Sequence, residues 1–168
     1  LFRSLIAREQ RLQKALAAQL ASMDRPYDYV FIDCPPSIGL LTINAFTAAK
    51  EVLIPIQCEY YALEGVTQLN SLIQQVNQML NPSLYVSTVL LTMFDARTNL
   101  SQDVAGVVRE NFGDRVLTTV IPRTVRVAEA PSHRQTVITY DPTSLGAIAY
   151  LEAAYEFGLR NTQIAEAH

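Results

Sequence analysis

With 168 residues, 49% of them hydrophobic and 17% charged, the chain is long enough for one well-buried domain and too short to suggest two. A formal net charge of −3 excludes a globally basic nucleic-acid binder and leaves room only for a local positive patch. No apolar run approaches a membrane-spanning length, and Leu1-Phe2-Arg3-Ser4 has neither a signal peptide's apolar core nor an initiator Met, so a position within a longer gene product is expected.

Leu5, Leu12, Leu16 and Leu20 recur at helical spacing with Arg8, Glu9, Arg11 and Lys14 on other faces, which predicts an amphipathic helix over roughly the first 22 residues. Asp24-Arg25-Pro26 ends it. Tyr29-Val-Phe-Ile32 then has strong strand propensity and runs into Asp33-Cys34-Pro35-Pro36, where two prolines without N–H groups must stop a ladder. A carboxylate is therefore expected at the C-terminal edge of a strand, the edge that lines ligand crevices in open α/β sheets, where it can hold Mg²⁺ directly or through water. A plain turn cap explains the same residues equally well.

Ser37 is placed to cap a second helix through about Ala49. Val52 to Gln57 reads as a strand despite Pro55, which demotes it towards an edge. A helix from Leu63 to about Leu80, with a stop at Asn81-Pro82, leads to a strand over Leu84 to Met93, apolar enough to be buried on both faces. A helix over Ser101 to Asn111 stops at Phe112-Gly113-Asp114, a fourth strand covers Val116 to Ile121 before Pro122, and a Pro131-Ser-His-Arg134 loop follows. A closing helix is expected from Ser144 to about Phe157, before Gly158. Strands alternating with helices of this length predict an α/β fold, a mostly parallel sheet flanked by helices on both faces. One domain over 1–160 with a frayed tail over 161–168 is expected. Cys34 and Cys58 each end a strand-like run and read as buried thiols of a reducing compartment, and neither has a histidine at ligand spacing.

Four ordered strings, Tyr27-Asp-Tyr-Val-Phe-Ile-Asp33-Cys-Pro-Pro-Ser, Val52-Leu-Ile-Pro-Ile-Gln-Cys-Glu-Tyr-Tyr-Ala-Leu-Glu-Gly65, Thr92-Met-Phe-Asp-Ala-Arg-Thr98 and Ile121-Pro-Arg-Thr-Val-Arg-Val-Ala-Glu-Ala-Pro-Ser132, resemble the ParA/Soj chromosome-partitioning ATPases. The resemblance covers about residues 1–158. It implies a deviant P-loop NTPase that binds ATP and Mg²⁺, forms a homodimer around ATP, binds nucleoid DNA without sequence preference, and is stimulated by a ParB/Spo0J-type partner. It further implies a cytoplasmic, nucleoid-associated protein without membrane attachment that partitions chromosomes or plasmids.

One departure stands against these matches. A P-loop needs Gly-x-x-x-x-Gly-Lys-Ser/Thr to cradle phosphates, and here no Gly precedes a Lys; the lysines are Lys14 and Lys50. Family order puts that motif ahead of the first helix, so the resemblance implies a C-terminal portion lacking at least one strand–loop–helix unit, and a chain that by itself does not hydrolyse ATP.

Residue by residue, the resemblance makes Asp33 the Walker B acid on the Mg²⁺ side, and puts the adenine site at Met93, Pro122, Arg123 and Thr124. Many relatives carry Asn in place of Thr124, and Met93 at a strand end is otherwise a packing residue. Glu59 and Glu64 fit a nucleotide-dependent dimer interface or simply the favourable end of a helix dipole, and Tyr60-Tyr61 reads as partly buried packing. Arg97 and Arg126 match positions where the family contacts DNA; ordinary solvated arginines are the alternative. Between Arg97 and Arg134 there are six arginines against four acids in a chain of net charge −3, so positive charge is locally concentrated. Two other identities stay open: a MinD-like relative, which would need a basic amphipathic C-terminal helix that Arg160 to His168 does not supply, and a P-loop-less pseudo-ATPase acting as a binding module.

Overall fold

The computed structural model describes residues 10–35 and 39–166, with side chains through residue 160. In chain order it contains α1 (Arg11–Ala21), α2 (Leu40–Ala48), β1 (Glu51–Gln57), α3 (Ala62–Met79), β2 (Tyr85–Thr92), α4 (Asn99–Phe112), α5 (Val125–Glu129), α6 (Val137–Tyr140) and α7 (Leu145–Glu166), with single 3-10 turns at Gly113–Arg115 and Ala130–His133. Leu5 and the expected cap Ser37 lie outside the described residues.

β1 and β2 pair side by side. Tyr85 N–H donates to Lys50 O and Cys58 N–H to Thr92 O, so both strands advance in the same direction and the pairing is parallel. Pro55 sits in β1 with its side chain exposed, as a ladder residue without an N–H can where only one side of the strand is paired. β2 carries buried residues on both faces: Val89 and Leu91 on one, Val86 and Thr88 on the other. That pattern fits a strand with neighbours on each side, and its second neighbour is the segment 116–122, bridged in parallel at Val89–Val116 and Phe94–Pro122.

Two expected strands are not formed. Residues 29–35 take neither helix nor strand, and Phe31 is 71% exposed, its ring stacked on Tyr29. Strand propensity is a preference for a pleated, half-buried surface, and without that surface the string stays irregular. Asp33 therefore follows an irregular segment rather than a strand. Val116 to Ile121, expected as a continuous fourth strand, pairs with β2 at its ends only. Leu117 N–H donates to Val89 O and Ile121 N–H to Leu91 O, so four residues advance against two on β2. The extra residues interrupt the ladder, as an insertion into one of two paired segments does.

The chain divides into two compact units, Leu1–Val52 with Thr67–Val86 and Leu53–Val66 with Ser87–His168. In the first, α1 packs on α2, and Asn81 closes the end of α2: its amide donates to Phe46 O at 2.9 Å and Ala49 O at 2.6 Å. These carbonyls have no partner within the helix, which is why a buried Asn follows α3 rather than a generic turn residue. Asn44 and Thr47, buried within α2, are satisfied by the carbonyls of Leu40 and Ile43.

In the second unit α7 supplies a face of small residues. Ala149 and Ala153 pack with Leu117 and Ile121, while Ala147 packs with Ala130 and Val137. The backbone stays helical past Gly158 to Glu166, where the sequence suggested a stop and a frayed tail. Gly146 opens the tightest approach: a Cβ there would lie 2.5 Å from Val127 Cγ2 and 3.1 Å from Thr124 Oγ1. Gly146→Ala improves helix propensity, yet Val127 is a short branched side chain that cannot swing aside, so overpacking decides the sign. The variant is expected to melt lower, by about 1–2 kcal/mol in urea titration; an unchanged or raised midpoint would contradict it.

Candidate functional site

The second unit gathers several chain ends at the C-terminal edge of the parallel strands. Cys58, just past β1, is buried and joined to Thr92 through its N–H, and its carbonyl accepts from Ser101 Oγ at 3.2 Å. Ser101 Oγ in turn accepts Asp95 N–H at 3.3 Å. One buried hydroxyl thus ties the end of β1, the loop after β2 and the first turn of α4. Thr98 starts that helix as an N-cap, accepting the N–H of Ser101.

Met93 leaves β2 with φ 54°, a left-handed conformation that is uncommon for a residue with a Cβ. Just past it, Phe94 N–H reaches Ile121 O and Arg123 N–H reaches Phe94 O, so the parallel pairing resumes at Phe94–Pro122. Met93 and Pro122-Arg123-Thr124 are thereby brought together by the backbone alone. Thr124 is the N-cap of α5, its Oγ1 accepting from Val127 N–H at 3.3 Å, so its side chain serves the helix first. Arg123 extends to Glu59 at 3.6 Å, an ion pair that sequence spacing did not suggest. Both partners are largely exposed, and a surface pair at that distance orients the side chains more than it stabilises the fold. Tyr60 and Tyr61, expected to be partly buried, stand 71% and 82% exposed as an edge-to-face pair.

Arg97 and Arg126 belong to the same unit. Arg97 is 88% exposed, and its guanidinium forks onto Asp95: Nε donates to Oδ1 at 2.9 Å and Nη2 to Oδ2 at 2.8 Å. The backbone N–H of Arg97 adds a third bond to Oδ1 at 3.0 Å. These side-chain and backbone bonds from Arg97 hold the Asp95 carboxyl down at about 2. Arg126 lies in α5, its Nη1 donating to Glu129 at 3.2 Å and its Nε 3.3 Å from Asp141. The arginine excess between Arg97 and Arg134 begins two residues after Asp95 and ends before Asp141, so it omits two of the acids that face these arginines. The D-x-R spacing carried the signal for Asp95; nothing local signalled Asp141.

Asp33 belongs to the other unit. Its side chain is exposed, next to a half-buried Cys34 whose thiol is pushed up by burial and then by the Asp33 charge. Cys58 is the fully buried thiol of the two.

Glu156 on α7 explains the bulged fourth segment. Its carboxylate accepts the N–H groups of Thr118 at 2.8 Å and Thr119 at 2.9 Å, and Arg160 at 2.6 Å. Arg160 also donates to the carbonyls of Asp114 and Val116. Side chains thus replace the missing ladder and fix the segment that leads to Pro122. Burial pushes the Glu156 carboxyl up, but the two N–H donors and Arg160 outweigh it and leave the pKa lowered. A lowered carboxylate stabilises the fold above its unfolded pKa and loses that contribution as pH falls through the folded value. Glu156→Gln is therefore expected to cost about 2 kcal/mol at neutral pH, with the gap to the parent closing in acid below about pH 4. A gap independent of pH would contradict it.

The parallel strands with helical crossovers, and loops gathered at the strands' C-terminal edge, define an α/β protein of the P-loop NTPase-like class. Residues 2–86 match the family model described as AAA domain. The sporulation initiation inhibitor protein Soj of Bacillus subtilis is 55% identical over 90% of this chain and 58% of its own length. The chromosome partitioning protein ParA of Caulobacter vibrioides is 52% identical over 89% and 55%. The chain belongs to the ParA/Soj family. It spans a little over half the length of those two relatives. Among solved structures, cobyrinic acid a,c-diamide synthase of Mycobacterium smegmatis with bound ADP and magnesium superposes with a TM-score of 0.65 at 40% identity, over 86% of this chain and 50% of that one.

Proposed function

We propose that the complete protein containing these residues is an ATPase of the ParA/Soj kind, which partitions chromosomes or plasmids by ATP-dependent dimerisation and DNA binding without sequence preference. Hydrolysis is stimulated by a ParB/Spo0J-type protein, and the protein works in the cytoplasm on the nucleoid. The observation that carries this reading is the convergence of the 93–98 loop and the 122–126 segment at one edge of the strands, combined with identity above 50% to Soj and ParA.

Mg²⁺ and ATP suit the donors present. Asp33 offers an exposed hard-oxygen ligand of the type Mg²⁺ prefers, and the turn at Met93 with Pro122-Arg123-Thr124 offers backbone groups to a purine. The metal supplies charge neutralisation between the β- and γ-phosphates when bound. The role of this chain is to orient: Asp33 contributes an exposed carboxylate, Glu156 and Arg160 hold the fourth segment, and the Thr124 cap sets the start of α5.

The phosphate cradle is absent from these 168 residues, since no Gly-x-x-x-x-Gly-Lys-Ser/Thr occurs. Calorimetric titration of the 168-residue chain with ATP and Mg²⁺ is expected to show no tight binding, and the complete protein to bind and hydrolyse. Micromolar affinity in the short chain, or a complete protein without ATPase activity, would overturn this reading.

A further inference from the structure

Arg97 and Arg126 are both engaged by carboxylates of the same chain. The Asp95 fork on Arg97 has the geometry in which a guanidinium grips a phosphate, two parallel N–H donors onto two oxygens of one anion. Its oxygens accept from Nε and Nη2 at 2.9 and 2.8 Å while the arginine stays 88% exposed, so any polyanion reaching Arg97 from solvent meets a guanidinium whose best face is filled. We propose that Asp95 is an internal competitor for Arg97, displaced when a nucleic-acid phosphate takes over the fork, and that it holds DNA affinity below what the arginine alone would give.

The proposal rests on the reading of Arg97 as a DNA contact. Two features favour displacement over permanent pairing. Asp95 retains a second anchor through its N–H to Ser101 Oγ, so its backbone stays in place when the side chain lets go. Arg123 lies near enough to favour the ionised Asp95 carboxylate, so the released charge is not left without a cation. Glu129 and Asp141 repeat the arrangement at Arg126 with longer contacts, 3.2 and 3.3 Å, so the competition that a phosphate must overcome is stronger at Arg97. The fork is also ionised throughout the physiological range, so the competition does not relax with pH.

The test uses the complete protein with ATP and Mg²⁺, binding two duplexes of unrelated sequence at about 0.15 M salt, where charges beyond a Debye length are screened. Asp95→Asn keeps the shape of the side chain and its contact with the Arg97 N–H, and removes the charge. It is expected to raise affinity several-fold on both duplexes, and to lose most of that gain in an Arg97→Ala background. Asp95→Ser serves as a second variant, and an unchanged melting midpoint shows that either variant is folded. Unchanged or weakened binding in both variants would mean that Asp95 positions Arg97 rather than competing for it, and an equal gain with and without Arg97 would reduce the effect to general charge; either overturns the proposal. If Arg97→Ala alone leaves DNA binding unchanged, the reading of the surface fails and the competition with it.

Discussion

Asp33→Ala in the complete protein is expected to lower Mg²⁺-dependent ATP turnover by on the order of a hundredfold or more, with a much smaller effect on nucleotide binding. The argument is electrostatic. Phosphoryl transfer asks the protein mainly to position the nucleotide and to stabilise charge that moves onto the leaving oxygens, and a metal fixed at one point by a carboxylate contributes only if that point does not drift. Binding draws on many contacts, whereas the metal's placement draws on few. Steady-state turnover with a parallel nucleotide titration checks both halves. Parental turnover in the variant would reduce Asp33 to a residue that merely precedes the Pro35-Pro36 stop.

The second large effect concerns DNA. Arg97→Ala combined with Arg126→Ala in the complete protein is expected to weaken binding to two unrelated duplexes by roughly ten- to a hundredfold, and to flatten the dependence of log affinity on log salt. Each phosphate contact contributes about 0.9 to that slope, so two arginines in each of two subunits account for up to about 3.6. Contacts to phosphate carry no base information, so the loss should be equal on both sequences. ATP-dependent dimerisation, followed by sedimentation, is expected to persist. Unchanged affinity and slope would move the DNA surface elsewhere.

The longer helices α1 to α4 and α7 were legible because each carries its own signal, whereas the short α5 and α6 were not expected. α3 and α4 are bounded by residues whose local chemistry decides the matter: Asn81-Pro82 after α3, Thr98 before α4, and Gly113 after α4 with φ 55°. β1 and β2 were legible from apolar runs, and among the described residues β1 pairs with β2 alone although Pro55 pointed to an edge or no strand at all. The four strings that carry the family resemblance were likewise visible without coordinates, because they are contiguous in sequence. The expected strands over 29–33 and 116–121 failed for one reason. A strand is a relation between two segments, and propensity describes only one of them.

The pairing of charges was decided by tertiary structure. Arg97 with Asp95 is a short-range pair that could have been guessed, but Arg123 with Glu59 and Arg126 with Asp141 join residues that only the fold brings together. Thr118 and Thr119 give no hint of Glu156, 38 and 37 residues away. Gly146 lies against Val127, a contact that no local pattern announces. The sequence by itself determined the bounds of α3 and α4 to within about two residues, which strings carry the ParA/Soj pattern, and that a phosphate cradle is missing from these residues, since all three are local properties of the chain. Which acid holds which arginine, and which backbone donors need a side chain because they have no ladder partner, depended on distance in space, and distance is what folding adds to the sequence.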